Sequence, residues 1–350
     1  MKRRKKGLLG GGVVGNPPTF QSAELGSVNG STIVVTFSTD ITASNYATGV
    51  TIKVNNVATT ITSATRQTNH AIVRYVIPIP WHGSGDTLTW EYDADTGNIV
   101  GESGAIPLAD VSAQAVTNNT AWAALLDLQA DTLGLSDGDP VSTWADQSGY
   151  SRDFTQSDTA RPVFRTNSGN PFVKFDGVND WMLGPNFADN LSDFLILLVI
   201  EHSSPVPTST NYPITKMADY GTGAGWTMLG LAEYIVLQKD GGSNWIMAQG
   251  SYLPLSAGQL SVVAWEVKSF AFAGLKQYLN GALQSLTDSS EPPVSNISTT
   301  SPVRLGSDGA LINFFDSGLA AVMIIAPAPS STNRAVLETR LGVRYGITVP

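Results

Sequence analysis

The stretch FDGVNDWM, Phe175 to Met182, sets two carboxylates and an asparagine around a glycine and runs directly into tryptophan. A second acidic turn, WADQSG from Trp144 to Gly149, adds a carboxylate and a hydroxyl. Two chemistries suit such residues. Aspartate and serine close turns by bonding to backbone two residues on, and glycine adopts positive φ without strain. Calcium instead gathers about six to eight oxygens from carboxylates and carbonyls. Asp146, Asp176 and Asp180 supply three carboxylates if the two corners meet. The preferred expectation is a pair of structural corners, with calcium as the alternative and no other cofactor.

A second group of candidates is aromatic. Trp226, Tyr234 and Trp245 lie in or beside the glycine-rich stretches ADYGTGAGW and KDGGSNW. Exposed rings next to Asn, Asp and Gly suit stacking on a sugar, whereas buried rings fill a core, the commoner fate of large aromatics. The candidate glycan rim is Tyr220, Trp226, Asn244 and Trp245. GTGAGW lacks the lysine and the following helix of a phosphate loop. His70, His82 and His202 are not spaced as a metal pair, no G-x-S-x-G elbow occurs, and polar turn or strand-end positions are expected for them. Glu266, beside Trp265, has no second acid two or four residues away and reads as a solvent-facing strand residue. YDADTGN, from Tyr92 to Asn98, begins like a calcium loop but lacks its final glutamate, so a hairpin turn is expected.

The elements that must position these residues are short strands. Of 350 residues 42% are apolar and only 14% charged, a balance that favours strands and turns over solvated helices. STIVVTFS places Ile33, Val35 and Phe37 on one face, and GVTIKVNN does the same for Val50, Ile52 and Val54. HAIVRYVIPIP and DTLTWEYDAD continue the pattern. FLILLVI, Phe194 to Ile200, is too short for a membrane span and reads as a buried strand. Thr120 to Leu126 suits a brief helix while LLDLQAD also reads as a strand, and SSTNRAVLETRLGVRYG predicts a helix capped by Ser331 or Thr332, stopped at Gly346, and packed on a sheet edge. The net charge of −9 argues against a nucleic-acid surface, since five of the 20 basic residues cluster at Lys2 to Lys6. With no cysteine, disulfides and thiolate chemistry are excluded. The opening MKRRKKGLLGGGVVG has a basic start but a short, glycine-rich apolar part, and a flexible arm is preferred to a cleaved signal peptide.

Between Pro17 and Asn118, NGSTIVVTFS, VNNV and GDTLTWEYDADTGNIVGESGAIPLADVSAQAVTN resemble the bacterial immunoglobulin-like repeats of surface proteins. From about Trp122 onward, VSTWADQSG, FTQ, ARPVF and FVKFDGVNDWM, followed by YLNGAL, VRLGSDGA and FFDSGLAAVMII, resemble the laminin-G-like, concanavalin A-like jelly rolls. RAVLETRLGVRYGI is similar to the short helix that often ends such domains in phage and bacterial surface proteins. These resemblances imply an all-β chain: an arm over 1–16, an immunoglobulin-like sandwich over 17–118, and a concanavalin A-like jelly roll with a short C-terminal helix over 119–350. They imply calcium at the rim in some relatives. Retaining hydrolases of this fold carry E-x-D-x-x-E on one strand, and Glu91-Tyr92-Asp93 begins that pattern with Thr96 where the second glutamate belongs, so no enzymatic activity is expected. The expected function is a phage virion protein of decoration or fibre type, bound to other virion proteins through its arm or first domain and contacting a cell-surface glycan. The alternatives are a secreted bacterial adhesin at the cell surface and a polysaccharide-degrading enzyme. No nucleic acid or membrane span is expected, and a homo-oligomer is compatible.

Overall fold

A computed structural model describes residues 17–25, 32–77, 87–102, 106–118, 123–148, 150–189, 191–202, 211–217, 223–238, 245–250, 258–288, 297 and 299–350. The chain forms two compact units dividing between Thr120 and Ala121. Both are all-β, as the alternating patterns require, and the long helix Ser331–Arg344 is placed where the sequence predicts one.

In the first unit an 8-stranded sheet runs in the order Val57–Thr59, Val50–Val54, Leu88–Tyr92, Val111–Asn118, Phe20–Leu25, Thr32–Phe37, Ile72–Val76, Ser63–Arg66. Its two halves join through a parallel pair that sets Glu24 against Thr117 and Leu25 against Asn118. Period-two alternation delivers Ile33, Val35 and Phe37 from one half and Ile52, Leu88 and Trp90 from the other to one core. Trp90 organises it: Phe20 stacks at 5.3 Å, Tyr92 stacks at 6.3 Å, and Phe37 meets it edge-on at 6.1 Å.

The second unit holds two sheets. One contains, in order, Val163–Asn167, Asn170–Lys174, Gly318–Ala326, Phe194–Glu201, Leu260–Val267, Leu275–Leu279 and Ala282–Leu283, with Ala123–Gln129 also paired to Gly318–Ala326. LLDLQAD is therefore mainly strand, followed by a 3-10 turn at Ala130–Thr132. The other sheet runs from Thr143–Trp144 through Ile214–Met217, Gly225–Leu229 and Tyr234–Gln238 to Trp245–Gln249 and Thr287–Asp288. Phe194, Ile196, Leu198 and Ile200 belong to the core that also holds Trp226, Met228, Ile235 and Leu237. Leu195, Leu197 and Val199 point to the opposite face by pleat and are equally buried.

The helix supplies cover on that opposite face, not at the sheet's edge as the sequence suggests. Its Leu337 and Leu341 are buried, and Arg334 lies 3.3 Å over the ring of Tyr278, whose ladder partner is Ala264. Ser330 is the N-cap, accepting from the Asn333 N–H at 3.3 Å, one residue earlier than predicted. Gly346, at φ +66, follows the last turn, and the Ile347 N–H closes on the Gly342 carbonyl at 2.7 Å. Beyond the helix's last turn the Tyr345 hydroxyl, fully buried, meets Gln129 Oε1 at 3.0 Å and donates to the Ala320 carbonyl at 2.8 Å. Arg344 adds a bidentate pair with Asp131, at 2.7 and 2.6 Å. Tyr345→Phe strips the hydroxyl from two buried partners, and we expect it to destabilise the second unit by about 1–3 kcal/mol. Thermal unfolding of the variant checks this, and an unchanged melting temperature refutes the role given to the hydroxyl.

Candidate functional site

The acidic corners are built as corners. Asp146 Oδ1 accepts from the N–H groups of Asp127 at 3.0 Å and Ser148 at 2.9 Å, and its Oδ2 accepts from Ser148 Oγ at 2.6 Å and the Arg152 N–H at 3.0 Å. Gly149 lies outside the described residues. Asp176 Oδ1 accepts from the N–H groups of Val178, Asn179 and Asp180, while Asp180 Oδ2 accepts from the Asp176 N–H at 3.0 Å. The turn is thus closed reciprocally. The oxygens of Asp146, Asp176 and Asp180 are not among the carboxylate and imidazole groups that gather within 4.8 Å in the described residues.

The two aspartates of FDGVND differ in ionisation. Burial raises the carboxyl of Asp176, but the three backbone donors outweigh it and hold the group below its ordinary value. Asp180 is 5% exposed, and burial, then the neighbouring Asp176 charge, push it up to about 6.

The aromatic rim resolves differently. Tyr220 and Asn244 lie outside the described residues. Trp226 is 1% exposed and packs against Phe194 at 6.1 Å, so its ring is core and its assignment to a sugar is corrected by burial. Trp245 is half-buried on the strand Trp245–Gln249, where Ile246 and Ala248 point into the core and Trp245 and Met247 away from it. Glu266 is buried rather than solvent-facing, with Lys276 at 3.9 Å. His202 ends its strand as expected but is 1% exposed, and burial drives it down to about 4, so it is neutral.

A groove that the sequence reading did not single out lies at one end of the helix-covered sheet. Two tight hairpins converge there. Asn167–Asn170 turns through Ser168 at φ 52 and Gly169 at φ 86, and the second hairpin turns through Asn280 at φ 46 and Gly281 at φ 86, left-handed pairs that suit two-residue loops. With Gly258, Gln259 and the segment Tyr345–Thr348 they line a cleft of about 340 Å³. Asn167 donates through Nδ2 to the Gly258 carbonyl at 2.8 Å, and Asn280 Oδ1 accepts from the Val262 N–H at 2.8 Å. Among the described residues the Asn170 amide has no hydrogen-bond partner. Asn167 and Gly258 also wall a second hollow of about 420 Å³, lined by Asp137, Arg165, Phe172, Lys174 and Glu201. Its charges are partly paired: Arg165 lies 3.4 Å from Asp137, and Lys174 lies 2.7 Å from Asp316. Primary amides donate and accept at once, as sugar hydroxyls do, and the volumes fall in the range of small-molecule sites. Turn asparagines are so common in sequences that nothing marked these three before the hairpins were seen together.

No family description and no curated protein matches this chain. Among solved structures it is similar to domain 4 of a GH43 extracellular arabinanase from Geobacillus stearothermophilus in complex with arabinotriose, at TM-score 0.43 and 14% identity over 61% of this chain and 96% of that one. It is also similar to Trypanosoma rangeli sialidase in complex with sialic acid, at TM-score 0.40 and 12% identity over 93% of this chain and 53% of that one. A third likeness is to botulinum neurotoxin type C, whose cell entry depends on interaction with two ganglioside molecules, at TM-score 0.39 and 14% identity over 63% and 51%. The chain thus spans about half the length of the sialidase and neurotoxin chains. The neighbours bind or act on glycans. The expectation of a chain without enzymatic activity is corrected here, because a sialidase and a domain of an arabinanase stand among them. At these identities and TM-scores the likeness carries no particular activity across to this chain.

The raised carboxyl of Asp180 has a consequence for stability. Its unfolded value is 3.8 and its folded value about 6, so its favourable contribution is complete below about pH 4 and is lost as pH rises through 6. Asp180→Asn keeps a carbonyl oxygen for the Asp176 N–H without the charge. Relative to the native chain, we expect the variant to gain about 2 kcal/mol between pH 4 and pH 7. Urea unfolding at both pH values measures this, and a pH-independent difference rejects it.

Proposed function

We propose that this chain is a carbohydrate-binding protein whose second unit holds a short glycan along the groove between Asn170 and Lys174. The observation that carries the reading is the convergence of Asn167, Asn170, Asn280 and Gln259 on one cleft continuous with a charged hollow. Rigid strands fix the hairpin tips, so the amides are oriented before a ligand arrives, which lowers the entropy lost on binding. Tyr345 and Phe172 line the two hollows but are buried, so hydrogen bonding rather than ring stacking supplies the contacts.

The finer reading is a virion protein of decoration or fibre type on the particle surface, with the basic run at Lys2 to Lys6 as its anchor and an immunoglobulin-like unit before a laminin-G-like one. That part is supported by sequence features alone, and a secreted adhesin is its competitor. A hydrolytic reading is favoured by one observation: Asp137 and Glu201 line the same hollow, and glycosidases use paired carboxylates about 5–9 Å apart. Under it, Glu201→Gln abolishes release of reducing ends while binding persists.

Binding to an oligosaccharide array, followed by calorimetry with the best-bound glycan, tests the groove. We expect Asn170→Ala to weaken affinity about tenfold, the loss of one to two hydrogen bonds, and Trp245→Ala to leave it unchanged. A silent array, or affinity lost with Trp245 and retained with Asn170, removes the groove from consideration.

A further inference from the structure

In the first unit three metal-ligating side chains from three separate segments meet. Asp40 precedes the strand Ile41–Thr42, His70 lies in the turn before Ile72–Val76, and Glu102 follows Val100–Gly101. One ligand atom from each lies within 4.8 Å of the others. We propose that Asp40, His70 and Glu102 form a binding site for a divalent first-row transition ion of the zinc class.

The backbone around the site is already fixed. Ile41 pairs with Gly101 and Thr42 with Val100, the Glu102 N–H donates to the Asp40 carbonyl at 2.9 Å, and the Ile41 N–H donates to the His70 carbonyl at 3.1 Å. The main chains of Asp40 and Glu102 are therefore tied directly, and that of His70 is tied to Ile41, the residue after Asp40. His70 Nδ1 and Glu102 Oε2 stand 3.0 Å apart. With metal–ligand bonds of about 2.1 Å, adjacent ligands of an octahedral or tetrahedral ion are about 3.0–3.4 Å apart, so this pair already spans one edge of the polyhedron. The Asp40 carboxylate is exposed, and one of its oxygens already lies within 4.8 Å of the ligand atoms of His70 and Glu102.

Ligand chemistry selects the ion. Two carboxylates alone would suit calcium or magnesium, but those ions take oxygen, and the imidazole nitrogen shifts preference to zinc and its neighbours. Arg66 donates through Nη1 to the Ile41 carbonyl at 2.8 Å and to Glu102 Oε2 at 3.2 Å. The guanidinium thus contacts the same Oε2 that faces His70 and holds the carboxylate in place, as groups beyond the metal ligands commonly do. Counting Asp40, Glu102 and Arg66, the cluster keeps a net negative charge for a divalent cation. Three protein ligands leave further positions for water or an outside ligand. This site is independent of the groove in the second unit.

The full chain, titrated with zinc chloride and followed by calorimetry and by NMR of the imidazole nitrogens, provides the test. We expect one site of micromolar affinity, perturbation of the His70 ring, reversal by EDTA, and at least a tenfold loss in both His70→Ala and Glu102→Gln. Far-ultraviolet circular dichroism verifies that each variant is folded, and Asp176→Ala serves as a control that retains full affinity. Absence of binding up to about 1 mM zinc, or undiminished affinity in folded His70→Ala, overturns the proposal.

Discussion

Burial of a single strand on both of its faces is the constraint from which the second unit follows. Every residue of Phe194–Glu201 is buried, and so is nearly all of its neighbour Gly318–Ala326. A pleated strand sends alternate side chains to opposite sides, so two apolar layers must be covered, not one. The facing sheet covers Ile196, Leu198 and Ile200. The other layer holds Leu195, Leu197 and Val199, and on the neighbouring strand Leu260–Val267 it is covered by the helix Ser331–Arg344. At about 1.5–3 kcal/mol for each buried aliphatic side chain, leaving that layer wet would cost an amount comparable with a domain's whole margin of stability. The helix is in this sense obligatory. Its covering face also carries Arg334 and Glu338 into a dry interface, where each is tolerable only because the two pair with one another and Arg334 rests on Tyr278.

The same docking makes the groove. The chain leaves the helix through Tyr345 and Gly346, and Gly346 passes within reach of Asn170, where an added Cβ would stand 3.6 Å from the amide nitrogen. One wall of the cleft is therefore the helix exit, and the others are hairpins whose strands belong to the doubly buried sheet. Stability and the proposed recognition share their parts. The tips hold polar residues because they lie at the sheet's end, where left-handed turn geometry favours Asn and Gly over any larger apolar residue.

Much of the fold was legible because burial imposes a period. FLILLVI reads as a buried strand and STIVVTFS as one with Ile33, Val35 and Phe37 on a single face, and both are strands with those residues buried. Strands with little apolar content escaped: Ser63–Arg66 and Val111–Asn118 are largely half-exposed, and their membership in the sheet is decided by neighbours rather than by their own residues. The acidic corners were also legible, since an Asx turn is a local event: Asp176 is satisfied by its own following residues, and Asp146 closes on Ser148 locally while also accepting from the distant Asp127 N–H. The residues proposed to bind were not. Asn170 and Asn280 are 110 positions apart, and Asp40 and Glu102 are joined only by strand pairing, so no local spacing encodes either meeting. Trp226 shows the converse: its glycine-rich neighbourhood made it a candidate for sugar stacking, but core filling, the commoner fate of such rings, holds, because cross-strand pairing to Lys216 and Leu237 turns the ring inward.

The clasp between Arg344 and Asp131 joins positions separated by 213 residues. Among the described residues, strand Ala123–Gln129 likewise pairs with Gly318–Ala326. On the ribosome, the opening strand of the second unit must then wait, unpaired, until almost the entire unit has been synthesised. Closing so long a loop is entropically costly only in proportion to a logarithm, but it is slow, and an apolar strand kept waiting is a substrate for misassembly. The first unit, with its strands paired among residues before 120, is complete long before. Its early folding leaves a finished body tethered to the waiting strand during synthesis, and production of this protein should depend on chaperone supply and translation rate far more than the stability of its final state would suggest.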